Sequence, residues 1–205
     1  MSHRLDDCIR MKKHSHVPFV IGLIAGCGLT IAVGELPYIN WASVVPPIDQ
    51  RPLIIRHDAK GRGQFFAPRS GHRHHRGLDL VAQLDSPVRA IRSGRVVQIG
   101  VHRGLGKFVE LEHRGRLRSL YAHLHEIQVD VGARVRQGEV IGTVGKTGNA
   151  RHPSISPHVH LEVLRDGEPI DPQRLGLLAS DPAMETVVQR RVEGSPEPAD
   201  ASGGE

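Results

Sequence analysis

An all-β domain built around an antiparallel sheet is the fold class that this 205-residue sequence predicts, on three observations. From Gly61 to about Leu178, short segments alternate apolar and polar residues, the period of a strand whose side chains point to opposite faces in turn. Glycine-bearing turn signals separate these segments, at Ser93-Gly94, Arg103-Gly104, Arg114-Gly115, Gly132, Gly138 and Asp166-Gly167. No stretch of helical period in this region runs longer than two turns. Strands that follow one another through tight turns, with no helices between them, pair antiparallel. A composition with 23 glycines and 14 prolines but only 3% aromatics fits many turns and short strands. The length allows one core of ordinary size and favours one folded domain.

In chain order the sequence divides into five parts. Residues 1–16 form a basic flank that includes Arg10, Lys12 and Lys13. Val17–Gly34 is then an 18-residue run without a charge. A basic flank before an apolar run reads as an export signal or a single membrane anchor. Pro18 and four glycines weaken it as a spanning helix, and its length is barely sufficient. Three forms are open: a retained anchor, a lipoprotein processed at Cys27 within Ile24-Ala25-Gly26-Cys27, or a signal cleaved after Ala32-Val33-Gly34. Residues 35–60, with Pro37, Pro46, Pro47 and Pro52 and no sustained periodicity, read as a linker that lifts the body away from the membrane. The body, 61–178, has candidate strands at Val88–Val101, Lys107–His113, Leu117–Leu124, Glu139–Val144 and His158–Leu164. Residues 179–205, rich in proline and glycine with few apolar side chains, read as a disordered tail. Both cysteines, Cys8 and Cys27, precede the body, so neither a disulfide nor a thiolate metal site can form within it.

The formal charge of +5 predicts attraction to polyanions. It resides in the body, where 18 Lys/Arg face 11 Asp/Glu. Charge alone admits nucleic acid, an anionic envelope polymer or a membrane surface. The export-type leader favours the envelope and argues against a nucleic-acid partner.

Three motifs in the body carry candidate chemistry. His158-Val159-His160 in a strand would point both imidazoles to one face, about 7 Å apart. One could bind a metal while the other faces the same cavity. His75 and Asp79 would lie about 13 Å apart if fully extended, and Gly77 between them permits a bend that brings both to one ion. Tyr121, His123 and His125 would share one face of a third strand. Each motif alone is compatible with exposed polar residues. His72, His74, His125 and His152 are read that way.

In combination, His75-x-x-x-Asp79, the Tyr-x-His strand and the final His-x-His strand resemble the lysostaphin-type (LytM-type) zinc endopeptidases. The surrounding text is similar too, notably Gly138-Glu139-Val140-Ile141-Gly142, Gly145-Lys146-Thr147-Gly148-Asn149 and Pro157-His158-Val159-His160-Leu161-Glu162-Val163. The resemblance covers about 61–175. It implies that family's antiparallel sheet, the duplicated hybrid motif, and one Zn2+ per chain held by His75, Asp79 and His160. It also implies that His123 and His158 assist the reaction without binding metal, with roles not apportioned between them. The implied substrate is the peptide part of peptidoglycan, and the basic flank before Val17–Gly34 would place the body on the outer side of the bacterial cytoplasmic membrane.

One departure concerns Ala150 to Ser156, which is longer than the corresponding link in that family and should border the site. Two other functions remain open: a non-catalytic wall-binding protein or activator of another wall hydrolase, and a non-haem iron oxygenase, since two His and one carboxylate also suit Fe(II).

Overall fold

A computed structural model describes residues 42–184. The strands run β1 (Leu53–Ile54), β2 (His57–Asp58), β3 (Gly61–Arg62), β4 (Pro68–Arg69), β5 (Arg73–His74), β6 (Gly77–Val81) and β7 (Pro87–Arg89). They continue as β8 (Gly94–His102), β9 (Gly106–His113), β10 (Leu117–Ile127), β11 (Arg134–Val135), β12 (Val140–Val144), β13 (His158–Arg165), β14 (Glu168–Ile170) and β15 (Ala179–Ser180). The expected fold class is met: nine of these strands form one antiparallel sheet.

Its spine is β10. One edge of β10 pairs with β9, which pairs onward with β8. The other edge is shared: Leu117–Ala122 pair with β13, and Leu124–Ile127 with β12. Strand β13 in turn is flanked by β6 and β14. The β13–β14 turn shows why the sequence forms hairpins here. Asp166 and Gly167 both have positive φ, 54° and 87°, the backbone that a two-residue turn between right-twisted strands requires. The expected single strand Val88–Val101 is instead two, β7 and β8. The break between them lets Ile91 N–H donate to the Tyr121 hydroxyl at 2.8 Å.

Leu78, Leu80, Tyr121, Leu124, Val159, Leu161 and Val163 are fully buried on one face of the sheet and make the centre of the core. The Tyr121 hydroxyl also lies 2.9 Å from Ser119 Oγ, which is 2.7 Å from His113 Nε2. His113 Nδ1 donates to Ser93 O at 3.1 Å, so these buried polar groups satisfy one another.

The linker expected at 35–60 is corrected over its second half. Ile48, Leu53 and Ile55 are buried in the core. Arg56 N–H donates to Asp79 O at 2.9 Å, and Ile55 bridges to Leu80, so this segment covers the free edge of β6. Burying three large aliphatic side chains is worth several kcal/mol, by about 1.5–3 kcal/mol each, which outweighs the extended, solvated alternative that the prolines suggested. At the other end, Ala179–Ser180 pair in parallel with β1 rather than joining a disordered tail. The apolar run Val17–Gly34 and the rest of the tail from residue 185 lie outside the described residues. Among the described residues, no helix is long and apolar enough to cross a membrane.

Candidate metal centre

Strands β6 and β13 lie side by side with His160 opposite Asp79. Their leucines and valines turn into the core, so strand alternation carries Asp79, His158, His160 and Glu162 to the other face. A Cβ at Gly77 would come within 2.5 Å of Leu161 O and 2.7 Å of His160 Cε1. The contribution of Gly77 is therefore room for the His160 ring, not the bend that the spacing suggested. His75 precedes β6, and its Nδ1–H donates to Gln64 O at 2.9 Å, which leaves the Nε2 lone pair free.

Three donor atoms then meet. His75 Nε2 is 3.1 Å from His160 Nδ1 and 3.1 Å from Asp79 Oδ1, and His160 Nδ1 is 2.8 Å from Asp79 Oδ1. Ligands held about 2.0–2.1 Å from a tetrahedral zinc stand a little over 3 Å apart, so the triangle and its two-nitrogen, one-oxygen composition fit that ion. Among the described residues, this trio is the cluster able to hold a metal. One carboxylate flanks it: His160 Nε2 faces Glu162 at 3.9 Å, and Glu162 is held by Arg76 at 2.8 Å. Burial raises the Asp79 carboxyl, but the close His160 and His75 rings, with His158 nearby, outweigh that and hold it well below the usual carboxylate range.

The other oxygen of Asp79 is taken by a residue that the sequence reading missed. Arg56 Nε and Nη2 donate to Asp79 Oδ2 at 3.2 and 3.0 Å, and its Nη1 donates to Asp58 Oδ1 at 2.6 Å. Asp58 Oδ2 accepts from Ser156 N–H at 3.0 Å, and Ser156 O accepts from His158 Nδ1–H at 2.7 Å. No motif signalled Arg56 or Asp58, because each is an isolated charge in a segment read as a linker.

His123 reaches the centre through an irregularity in β10. Ala122 is opposite His160, while Tyr121 points into the core. Regular alternation would send His123 after Tyr121. Pairing with β9 instead runs Tyr121–Val109 and then Leu124–Lys107, so Ala122 and His123 together face Phe108 alone. This is a β-bulge, with His123 at φ 65°, and it turns the ring out of the core. The ring centroid is 4.9 Å from that of His158 and 6.0 Å from that of His160. The expectation that Tyr121, His123 and His125 share a face is thus corrected: His125 is exposed beside Asp85. His72, His74 and His152 are exposed as expected.

His123 Nδ1–H donates to Thr147 O at 2.9 Å, so its Nε2 is left as an acceptor, as is that of His158. Burial, with His158 and His160 close by, pushes His123 down to about 3, and burial lowers His158 as well. Both imidazoles are neutral near pH 7. They line a cavity of about 350 Å3 with His75, Asp79, His160, Ala150 and Ile155, so the 150–156 loop does border the site.

Residues 73–172 match the family model of peptidase family M23. The chain carries a peptidase M23 domain. Over 105 residues it is 39% identical to the DD-carboxypeptidase/endopeptidase Mpg of Neisseria meningitidis serogroup B, a match covering 51% of this chain and 23% of that protein. It is 32% identical over 142 residues to the murein hydrolase activator EnvC of Escherichia coli, covering 62% of this chain and 33% of that one. A crystal structure of a zinc-containing peptidase from Vibrio cholerae superposes with a TM-score of 0.50 at 29% identity, over 66% of this chain and 39% of that one. The chain thus spans about a quarter to a third of the length of these curated relatives. Its M23 domain is the shared part. Arg56 and Asp58 fall outside the matched span, yet Arg56 donates to Asp79 and Asp58 holds Arg56 in turn.

Proposed function

We propose that this protein is a zinc-dependent endopeptidase that hydrolyses peptide bonds in peptidoglycan on the outer side of the bacterial cytoplasmic membrane, with His75, Asp79 and His160 as metal ligands. The observation that supports it most is the meeting of His75 Nε2, Asp79 Oδ1 and His160 Nδ1 beside two neutral histidines whose Nε2 atoms lack a proton. When bound, zinc supplies a Lewis acid that acidifies water and polarises a carbonyl. The histidines do the rest. A neutral Nε2 on His123 or His158 can take a proton from an attacking water and return it to the leaving amine. Thr147 O and Ser156 O each fix a tautomer, so both rings are set for that exchange without rearrangement. Burial of the site excludes bulk water and strengthens the hydrogen bonds made there. The basic surface of the body complements an anionic polymer.

A second reading, an activator of another wall hydrolase, is favoured by the likeness to EnvC. The experiment that separates the two is digestion of purified peptidoglycan by the zinc-loaded full-length protein, with released fragments identified by mass. Release of peptide fragments is expected. His160→Ala should lose most of its zinc. His123→Ala and His158→Ala should keep zinc and lose on the order of 100-fold in turnover. A zinc-loaded wild type that releases nothing would leave the activator reading standing.

A further inference from the structure

Beside the metal centre lies a second, larger basin of about 830 Å3. It shares His102 and Asn149 with the smaller cavity that holds His75, Asp79 and His160, so the two form one groove. Its floor is main chain. Gly106 and Gly148 press together so closely that a Cβ on Gly148 would meet Gly106 N at 2.2 Å, and no side chain rises from either. The walls carry Arg103, Lys107 and Arg151, and no acidic residue lines the basin.

These cations are not equivalent. Lys107 Nζ is turned to His125 O at 2.8 Å. The guanidinium groups of Arg103 and Arg151 make no hydrogen bond or ion pair among the described residues. Some arginines elsewhere have carboxylate partners, Arg76 with Glu162, Arg89 with Asp49, Arg116 with Asp166 and Arg118 with Glu110, but what sets Arg103 and Arg151 apart is that they line one basin beside the metal centre. Two uncompensated guanidinium groups lining one basin with no acidic residue are suited to an anion attached to a chain that lies along the groove. A planar guanidinium matches a carboxylate through two parallel hydrogen bonds.

We propose that this basin is a substrate subsite for a carboxylate-bearing segment of the peptide being cut, with Arg103 and Arg151 as its anion-binding pair. This rests on the peptidase reading, since continuity with the metal centre is what makes the anion part of the substrate. The Ala150–Ser156 loop carries one of the two arginines and so helps to set the subsite.

The test uses two cross-linked peptidoglycan peptides that differ only in having their side-chain carboxylates free or amidated. Kd on the zinc-loaded full-length protein is measured by titration calorimetry, and KM and kcat by fragment release. The free acid is expected to bind roughly tenfold more tightly than the amide, as a charge-assisted pair at a half-open site allows. The advantage should shrink in high salt. In Arg103→Gln/Arg151→Gln the acid and the amide should bind alike. Equal affinity of the two peptides for the wild type would overturn the subsite, as would discrimination that survives in the double variant. Should the wild type cut neither peptide but still prefer the acid through these arginines, the basin stands as a carboxylate-binding site for wall peptide and the endopeptidase reading falls.

Discussion

Arg56 is 5% exposed, and its guanidinium divides between two carboxylates. By taking Asp79 Oδ2 it leaves Oδ1 to the two histidines, and through Asp58 and Ser156 it fixes the carbonyl that orients His158. Removing a buried cation strands both anions. Partners that orient metal ligands commonly contribute about 10–100-fold in affinity. Arg56→Ala should therefore weaken zinc binding by about that factor, measured by competition with a chelating dye. Arg56→Lys should fall between, because one ammonium cannot donate to Asp79 and Asp58 through a fixed fork. A folded Arg56→Ala protein with unchanged zinc affinity would show that the histidines and Asp79 hold their places unaided.

The bulge in β10 is what an element contributes that its residues alone cannot. It is held by Thr147, whose Oγ1 accepts from Lys107 N–H at 3.0 Å and donates to Leu124 O at 3.0 Å, while its carbonyl orients His123. Lys146-Thr147-Gly148-Asn149 thus acts as a clamp across β9 and β10. Thr147→Val keeps the volume but removes both hydroxyl bonds, leaving two backbone groups without their partner. That should cost about 1–3 kcal/mol by urea unfolding. It should also lower turnover through a His123 ring free to shift, with zinc content unchanged. Loss of stability without loss of turnover would place the clamp in the fold alone. Alternation in the sequence located β10 but not this bulge, because the extra residue is specified by what packs against the strand. For that reason His123 was expected beside Tyr121 and is found on the opposite face.

Over the whole molecule, what was legible depended on how local the signal was. Turn glycines and alternation marked β8, β9, β10, β12 and β13, and the family resemblance carried by the three histidine motifs in combination named the residues now found together. The segment 44–58 was not legible, since its prolines resemble a linker and its partners, β6 and β15, lie far along the chain. Equally unmarked was His113, buried between Ser93 O and Ser119. Burial, reinforced by Arg92 and opposed by the Ser93 bond and Glu112, lowers it from 6.5 to about 4. Below pH 6.5 the unfolded chain takes up a proton on this residue that the folded chain refuses until about pH 4. The stability it contributes is therefore present above pH 6.5 and lost progressively as the pH falls through that window, to the order of 3 kcal/mol. His113→Leu removes the titration. The variant should be less stable than wild type at pH 7.5, because Ser119 and Ser93 O lose their partner. Its unfolding free energy should nevertheless decline less between pH 7 and 4.5. His123, His158 and His160 are present in both proteins and cancel in the comparison. Parallel pH profiles for the two proteins would mean that acid unfolding is driven from the metal centre and not from the core beneath it.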